Sequence, residues 1–524
     1  MKNYQNYLIG IGGTGARVIE AAIFLNFAGF GPEEMSIIII DPDESNGNLT
    51  RTKSLIELYK TCKQNFSDLS DDNYILKTKL NTAGENFVWS IFEEHNVRLA
   101  DYLSYSSLQV SNKTLADFIS VLFTDDELYT PLNEGFRGHP SIGAVVMSKI
   151  PEDKDPWKTF WDQLGDYAKT PYSARVFVVG SLFGGTGASG IPTIASLLKQ
   201  NARALIDGKS KILLGGAFVL PYFTFDVSDE VLNEQKFKMF VTTENFMIAT
   251  KAALQYYDTK ELAYDQIYLI GNYTPRKVGK FSPGSRTQEN LPNYIEMITA
   301  LACFDFFAQP DVEASQSETK FLYALRSEKM SWEDIPVTRD RSLKSLKIEE
   351  FKHKLTVTTL FSYLLSTFGE KILNLKHEDI IYTWYKDNFK SSKEAPQYVH
   401  NLHKIKNLIN LSNQYLWWLS AISNEEFDLI DISRLLENKP EVYSSKDLKF
   451  KDPEESQNGS NISLILKNPS DRRKEKDFND FIKVMNKTKL KVKNLSPATK
   501  FVEIFFRAVE NFAEDVYNIK PIRK

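Results

Sequence analysis

The sequence predicts an α/β protein, with a parallel-sheet domain over residues 1–308 and a divergent, mainly helical region over residues 309–524. Three observations predict this class. Short β-branched runs alternate with helical patterns in the first half. Glycine-rich turns follow two of these runs, and the apolar spacing becomes helical over long segments of the second half. The content of 42% hydrophobic and 25% charged residues is that of an ordinary globular chain.

The first half shows the pattern of strands joined by crossover helices. Predicted strands cover residues 7–11, 36–40, 175–179, 213–220 and 266–270, and predicted helices cover 14–27 and 191–200. The four consecutive isoleucines of the second strand suit burial on both faces of a sheet. Ligands of open parallel sheets bind beyond the carboxyl ends of the strands, so the loops that follow these strands are the expected place for a site.

The second half is predicted to be helical over residues 347–375 and 397–423, where apolar residues recur at helical spacing. Ser496 is predicted to cap a last helix whose first residue is Pro497. Between these segments, residues 439–460 are polar and contain two prolines, which predicts a linker or mobile segment.

Charge and cysteine content exclude several classes of protein. The net charge of -4 and a pI near 6.0 give no field that attracts nucleic acid, so no direct nucleic-acid partner is expected. Two cysteines are too few for a disulfide framework, and no apolar run of about 20 residues or signal pattern occurs. We therefore expect a cytoplasmic protein without a transmembrane segment. No metal site is predicted, because His400 and His403 have no acidic or thiol partner at ligand spacing.

A glycine-rich turn follows the first predicted strand. It contains Gly10, Gly12, Gly13, Thr14 and Gly15. Glycine allows a ligand to approach the backbone closely, and the helix after the turn offers N–H groups and a positive dipole end to a phosphate. Taken alone, the turn matches a dinucleotide fingerprint, with Asp41 at the end of the second strand where a ribose-binding acid is expected.

A second glycine-rich turn follows the predicted strand at 175–179. Its residues are Ser181, Gly184, Gly185, Thr186, Gly187, Ala188, Ser189 and Gly190. A nicotinamide domain has no need of a second turn of this kind. Two such turns predict one polyphosphate held from two sides by backbone amides and by the hydroxyls of Ser181, Thr186 and Ser189.

The run FGGTGASG from Phe183 to Gly190 resembles the glycine-rich signature of the tubulin and FtsZ superfamily. The turn from Gly10 to Gly15 resembles the first nucleotide loop of that family. The resemblance covers about the first 310 residues and fits best a bacterial tubulin-like group outside true tubulins and cell-division FtsZ. It implies GTP or GDP as ligand, together with Mg²⁺.

The same resemblance implies roles for further residues. Asp41 and Asp43 are implied to make polar contacts near the phosphates or their Mg²⁺. Gly138 and His139 belong to a loop that is implied to approach the terminal phosphate. Base contacts are implied for three residues near the ends of later elements: Asn245, Asn272 and Tyr294, the last in a central helix over residues 292–307.

Polymerising family members use an acidic loop after the central helix to position the attacking water. Residues 308–317 lack the expected arrangement of acids, although Asp311, Glu313 and Asp334 are nearby candidates. The sequence therefore assigns no catalytic residue and leaves GTPase activity open.

We predict a bacterial tubulin-like, GTP-binding cytoskeletal protein that assembles head to tail into filaments and hydrolyses GTP slowly. One alternative is a nucleotide-controlled module that binds another protein through its C-terminal region and does not hydrolyse GTP efficiently. A weaker alternative is an NAD-dependent oxidoreductase, based on the first glycine turn and Asp41. The choice between GTP and ATP stays open, because base contacts depend on loop geometry.

Overall fold

The computed structural model describes residues 5–92, 97–132, 135–136, 138–148, 150–168, 174–205, 212–226, 245–259, 262–273, 275–280, 290–309, 320–326, 330–332, 335, 348–423, 427, 429–438, 448–466, 475–490 and 494–518.

Parallel strands form the centre of the protein. In chain order the strands are β1 (Gln5–Ile11), β2 (Glu34–Ile40), β3 (Lys79–Thr82), β4 (Val88–Trp89), β5 (Ala174–Ser181), β6 (Leu213–Val219), β7 (Phe223–Asp226), β8 (Gln266–Asn272), β9 (Arg276–Lys280) and β10 (Lys320–Arg326). Within the described residues the main sheet has the order β10-β8-β6-β5-β1-β2-β3, and β4 also pairs with β2. Its pairs are all parallel, and β7 and β9 form a separate parallel pair.

Helices connect and cover the strands. Those of the first part are α1 (Gly12–Phe27), α2 (Gly47–Asn65), α3 (Leu99–Tyr102), α4 (Tyr105–Ser111), α5 (Lys113–Leu122), α6 (Asp125–Tyr129), α7 (Pro140–Val146), α8 (Trp157–Ala168), α9 (Gly185–Leu205), α10 (Phe246–Asp258) and α11 (Tyr294–Ala308). Those of the C-terminal region are α12 (Ile348–Leu364), α13 (Glu370–Asn374), α14 (Thr383–Asn388), α15 (Val399–Ile422), α16 (Phe478–Lys487) and α17 (Pro497–Tyr517). The sequence-based fold class is confirmed: a parallel α/β sheet precedes a helix-rich region.

The order of the strands reverses between β1 and β5. From β1 the chain builds β2, β3 and β4 on one side, and then returns to place β5 on the other side of β1. Gly10 of β1 lies opposite Ile39 of β2 and Val179 of β5, so the three strands end at nearly the same level. Such a reversal opens a crevice at the carboxyl ends of the two central strands, because the helices that follow them pack on opposite faces.

Each face of the sheet has its own apolar core. Leu8 of β1 belongs to the core that includes α1, α11 and the C-terminal helices α12, α15 and α17. Ile9, the next residue, belongs to the core that includes α7, α8 and α9. This alternation is the two-residue period of a strand that is buried on both faces. The C-terminal region therefore packs on the same face as α1.

Two helices begin earlier than the sequence predicts. The prediction places their first residues at 14 and 191, whereas α1 begins at Gly12 and α9 at Gly185. Each glycine turn thus contributes the first residues of its helix. Propensity alone misses this, because glycine is a poor helix former in isolation.

The C-terminal helices agree closely with the predicted spans. The segment predicted at 347–375 is α12 and α13 joined by a π-helical turn, Leu365–Gly369. Ser496 caps α17 by accepting a hydrogen bond from Thr499 N at 3.2 Å.

Of the linker predicted at residues 439–460, residues 439–447 lie outside the described residues. The part from 448 is packed: Leu448 is buried, and the carbonyl of Lys451 accepts a hydrogen bond from Tyr363 Oη at 2.7 Å.

A search of the described residues for a helix long and apolar enough to cross a membrane finds none. The domain division at residue 308 stays a prediction.

Candidate functional site

The two glycine turns lie against each other at the carboxyl ends of β1 and β5. A β-carbon built on Gly12 would lie 3.3 Å from Thr186 Cβ and 3.8 Å from Gly187 N. One built on Gly190 would lie 2.8 Å from Ile11 Cγ2. Gly12 also has a φ of +69°, a conformation that side chains disfavour. The two turns, far apart in sequence, therefore line one crevice.

Two helix N-termini meet at this crevice. α1 starts on one face of the sheet and α9 on the other, and neither has an acidic residue in its first turn. The N-cap residue of α1, Ile11, has no side-chain capping bond. The first N–H groups of a helix need acceptors, and together with the helix dipole they favour an anion. This arrangement can bind phosphate groups from two sides.

Several of the glycines are required by close backbone packing. A β-carbon on Gly15 would lie 2.5 Å from the carbonyl carbon of Gly10, and one on Gly187 would lie 2.4 Å from the carbonyl oxygen of Ser181. At Gly185 it would lie 2.9 Å from Gly138 N. Substitution at these positions would disturb the fold itself.

Gly13 differs from these glycines. The nearest atom to a β-carbon built there is Asn48 Nδ2, at 3.9 Å, and the φ of Gly13 is not positive. Gly13 is partly exposed. Protein packing thus leaves space at Gly13 that a methyl group would fill, which fits a backbone surface reserved for a ligand. Gly184 is also partly exposed, and among the described residues a β-carbon built there has one close neighbour, Ser181 Oγ at 3.0 Å, a tighter contact than that at Gly13.

The predicted hydroxyl donors have different surroundings. Thr186 is partly exposed beside Gly12, and Ser181 is buried next to Gly184. Ser189 differs from the prediction, because its Oγ donates to the carbonyl of Gly185 at 2.7 Å inside α9. Two further non-glycine residues of the turns were predicted to contact the nucleotide. Thr14 is buried, and the carbonyl of Ala188 accepts a hydrogen bond from Tyr257 Oη at 2.5 Å.

Asp41 and Asp43 lie side by side just after β2. Both are buried, and Asp43 N donates to Asp41 Oδ1 at 3.0 Å. Asp43 Oδ1 accepts from Ser45 N and Ser45 Oγ, at 3.1 and 2.8 Å. Burial raises the pKa of Asp41 to about 7, against the opposing effect of the Asp43 N–H group. A bound cation would offset the cost of burying this charge, and oxygen ligands of this kind suit Mg²⁺. The donor set therefore fits a hydrated Mg²⁺.

Gly138 and His139 pack against the second glycine turn at Gly185. Gly138 has a φ of +82°, and the backbone nitrogens of both residues approach Gly185. His139 precedes α7, and its Nδ1 lies 2.9 Å from Glu127 Oε1 of α6. This contact fixes one ring nitrogen of the imidazole. Arg137, next to them in sequence, lies outside the described residues.

The three predicted base contacts lie at the ends of three different elements. Asn272 ends β8, which β6 separates from β5, so it lies roughly 10 Å from β5 across the sheet. Asn245 is exposed and precedes Phe246, whose ring centroid lies 4.6 Å from that of Phe183 in the second turn. Tyr294 is the first residue of α11 and is buried. Base contacts by these three residues stay a prediction.

Sequence reasoning missed a buried charged network beside the first turn. Arg17 Nε donates to Glu296 Oε1 at 2.6 Å, and its Nη2 donates to Tyr222 Oη at 2.5 Å. Tyr222 Oη in turn donates to Glu296 Oε1 at 2.7 Å. Burial acts to lower the pKa of Arg17, but the charges and hydrogen bonds of Tyr222 and Glu296 raise it above its ordinary value. The sequence signal for this network was Arg17 within a largely apolar helix, because a charged side chain needs a partner when it is buried.

The network continues to the N-terminus of α2 through Asn290. Arg17 Nη1 donates to Asn290 Oδ1 at 3.2 Å, and Asn48 exchanges two hydrogen bonds with Asn290, at 2.9 and 3.1 Å. Arg51 Nη2 donates to the Asn290 carbonyl at 3.2 Å, and its guanidinium lies over the ring of Trp417 of α15. The crevice and the C-terminal region are therefore connected by a short series of direct contacts.

The acids considered for hydrolysis, Asp311, Glu313 and Asp334, lie outside the described residues. Within the described part of the chain, no group of three or more His, Cys, Asp or Glu side chains is placed to hold a metal ion.

The fold and the crevice define a doubly wound α/β protein with glycine turns at the reversal of its sheet and a helix-rich C-terminal region. No family model matches the chain, and no curated protein matches it. Among solved structures it is similar to CetZ1 from Haloferax volcanii, described as a GDP-bound monomer. The identity is 13% and the TM-score 0.24, over 51% of this chain and 51% of that chain. The chain thus spans about half the length of this matched structure.

Proposed function

We propose that the crevice between β1 and β5 binds the phosphates of a nucleotide, and that the protein is a tubulin-like, GTP-binding protein. The observation that carries the proposal is the meeting of two glycine turns at the reversal of the sheet. Two helix N-termini there, neither with an acidic residue in its first turn, offer backbone N–H groups to one polyphosphate. The choice of GTP over ATP rests on the resemblance of the glycine-rich sequences.

In this proposal different residues of the crevice bind the phosphates, the Mg²⁺ and the base. Backbone amides around Gly12, Gly13 and Thr186 bind the phosphates, and Gly184 leaves room for their approach. Asp41 and Asp43 hold water of a hydrated Mg²⁺, which would supply charge neutralisation at the phosphates. The residues that would contact the base are Asn245, Asn272 and Tyr294.

Assembly into filaments and slow hydrolysis belong to the same proposal. Hydrolysis needs a water aligned with the terminal phosphate and charge stabilisation around it. His139, held by Glu127, lies beside the second turn and would help to position the terminal phosphate. We assign no general base.

The test is to identify the nucleotide that co-purifies with the protein and to repeat the measurement with Gly13→Ala. This substitution has space in the fold but projects a methyl group towards the proposed phosphate site. We expect the wild type to carry a guanine nucleotide and Gly13→Ala to bind it at least tenfold more weakly, because losing one charge-assisted hydrogen bond costs about 1.5–3 kcal/mol. Gly185 is a poorer choice, because its β-carbon would meet Gly138.

The matched control is Gly459→Ala in the C-terminal region, where a β-carbon makes ordinary contacts of 3.4–3.6 Å. Both variants should fold like the wild type by circular dichroism. Equal nucleotide affinity in wild type and Gly13→Ala would contradict the proposed site. An adenine or nicotinamide nucleotide in place of guanine would contradict the proposed ligand.

The contacts between the crevice and the C-terminal region favour a second candidate, a nucleotide-controlled interaction module. Arg51 joins Glu20 of α1 to Trp417 of α15, so a ligand that moves α1 would also act on the C-terminal helices. Single-turnover GTP hydrolysis separates the two candidates. Phosphate release that rises steeply with protein concentration favours the assembling GTPase, whereas tight binding without release favours the module.

A further inference from the structure

Helix α5 exposes an apolar stripe to solvent. Its larger apolar residues lie at helical spacing on the outside, and we call them the α5 patch: Leu115, Phe118, Val121 and Leu122. Val121 is 83% exposed and Phe118 57%, while Ala116 and Ile119 of the same helix are buried against the core. A helix that exposes four such residues on one side has an unpartnered face.

The surroundings of the α5 patch are acidic. Between residues 110 and 129 the chain has one lysine, Lys113, and four carboxylates: Asp117, Asp125, Asp126 and Glu127. Asp117, Asp125 and Asp126 are exposed. A surface that binds this patch is therefore expected to be apolar at its centre and basic around it.

The C-terminal region has four exposed large apolar residues between positions 375 and 399, which we call the α14 patch: Leu375, Ile381, Tyr398 and Val399. Val399 is 86% exposed and Ile381 77%. The carbonyl of Leu375 accepts a hydrogen bond from Gln397 Nε2 at 3.3 Å, which brings Leu375 close to Tyr398 and Val399. These residues lie on both sides of α14 in the sequence.

The segment that carries the α14 patch is basic. Residues 375–406 contain six lysines and three histidines against four carboxylates. Most of the lysines are exposed, Lys376, Lys386 and Lys390 among them. The two patches of this chain thus match each other in apolar character and oppose each other in charge.

The two patches cannot meet within one molecule. Ala116 and Ile119, beneath the α5 patch, belong to the core on the α9 face of the sheet. Leu373 and Ile380, beside the α14 patch, belong to the core on the α1 face. Since the sheet separates the two cores, the patches lie on opposite sides of the protein and remain available to other copies.

We propose that the α5 patch of one copy binds the α14 patch of the next copy of this chain. The contact is heterologous, because it joins two different surfaces, and it therefore repeats from copy to copy unless the rotation closes a ring. The proposal rests on the proposed function, because it names the surfaces through which the protein would self-assemble. Neither glycine turn takes part in the contact. Four apolar side chains on each partner form a small interface, so the association is weak and depends on concentration.

The test uses a charge pair at the two most exposed valines. Val121→Lys places a lysine opposite the basic segment that carries the α14 patch, and Val399→Glu places a glutamate opposite the acidic surroundings of the α5 patch. Each single variant should raise the dissociation constant for self-association, measured by sedimentation velocity, at least about tenfold. The double variant should regain association, because every contact then joins a lysine to a glutamate.

Ile248→Lys is the matched control, because Ile248 is an exposed aliphatic residue of α10 outside both patches. It should associate like the wild type. A wild type that stays monomeric at every nucleotide state and concentration up to about 100 µM would overturn the proposal, in favour of a different partner for these patches. Single variants that associate normally, or a double variant that fails to recover, would also overturn it.

Measuring the bound nucleotide in the same samples distinguishes a failure of the proposed interface from a failure of the proposed nucleotide site. A dispersed monomer that retains its nucleotide argues against the interface and leaves the nucleotide site standing. Association of a protein that is purified without nucleotide, and that binds none when GTP or GDP is added, argues against the nucleotide site and supports the interface.

Discussion

Replacing Glu296 with glutamine tests the buried network beside the crevice. Glu296 is buried and accepts hydrogen bonds from Arg17 Nε, Tyr222 Oη and Asn293 N, at 2.6, 2.7 and 2.9 Å. Glutamine keeps the size of the side chain but removes its charge and turns one acceptor into a donor. Arg17 is also buried and would lose the carboxylate that it contacts. Removing one partner of a buried ion pair costs about 3–5 kcal/mol, so we expect a loss of that size in the free energy of unfolding.

Urea denaturation of the nucleotide-free protein, followed by tryptophan fluorescence, measures this loss. The control is the same substitution at Glu34, whose ion pair with Lys79 has a similar distance, 2.8 Å, but whose side chain is 46% exposed and that of Lys79 65%. Exposed pairs contribute about 0–1 kcal/mol, so Glu34→Gln should change little. If both variants lose less than about 1 kcal/mol, the carboxylate of Glu296 does not stabilise Arg17 in a dry network, and the reasoning fails.

Two further predictions concern the thiols and the last helix. Burial raises the pKa of the Cys62 thiol from 9.0 to about 12, so its contribution to stability is complete below pH 9 and is lost as the pH rises towards 12. Cys62 and the buried Cys303 should therefore not react with a thiol reagent at pH 8 until the protein unfolds, and rapid labelling of the native protein would contradict this burial. Ser496→Ala removes the cap on Thr499 N and should cost about 1 kcal/mol in thermal or urea unfolding. Ser496→Asp should retain most of that stability, and equal stability of all three proteins would show that the cap contributes nothing.

The central strands were predictable because their burial leaves a local pattern. The isoleucines of β2 are buried on both faces, and a continuous β-branched run of that length is typical of a central parallel strand. β3 and β4 left no such pattern: β3 is four mostly polar residues and β4 is two residues. They are strands because the edge of β2 offers hydrogen-bonding groups, and a long-range pairing of this kind is absent from any short window of sequence.

The glycine turns were predictable for a related reason, since a backbone requirement fixes the residue type. Gly12 has a positive φ, and Gly187 leaves no space for a β-carbon. The sequence does not show, however, that the glycines of the turns have different roles. Some glycines serve only the packing of the turn, whereas Gly13 borders open space, and only coordinates separate the two groups.

The partners within the charged network could not be predicted, because its members lie in distant segments. Arg17 and Glu296 are 279 positions apart, and nothing near either residue indicates the other. Their meeting depends on α11 packing against α1, which depends in turn on β6 and β8 having taken their places in the sheet. Since Asn290 bonds to Arg17 and Arg51, and Arg51 lies over Trp417, a ligand that repositions the first turn of α1 would move charges that the C-terminal helices contact directly. Asn290, a residue that belongs to neither glycine turn, therefore lies on one route from the crevice to the C-terminal region, beside the direct contact of Arg51 with Glu20 of α1.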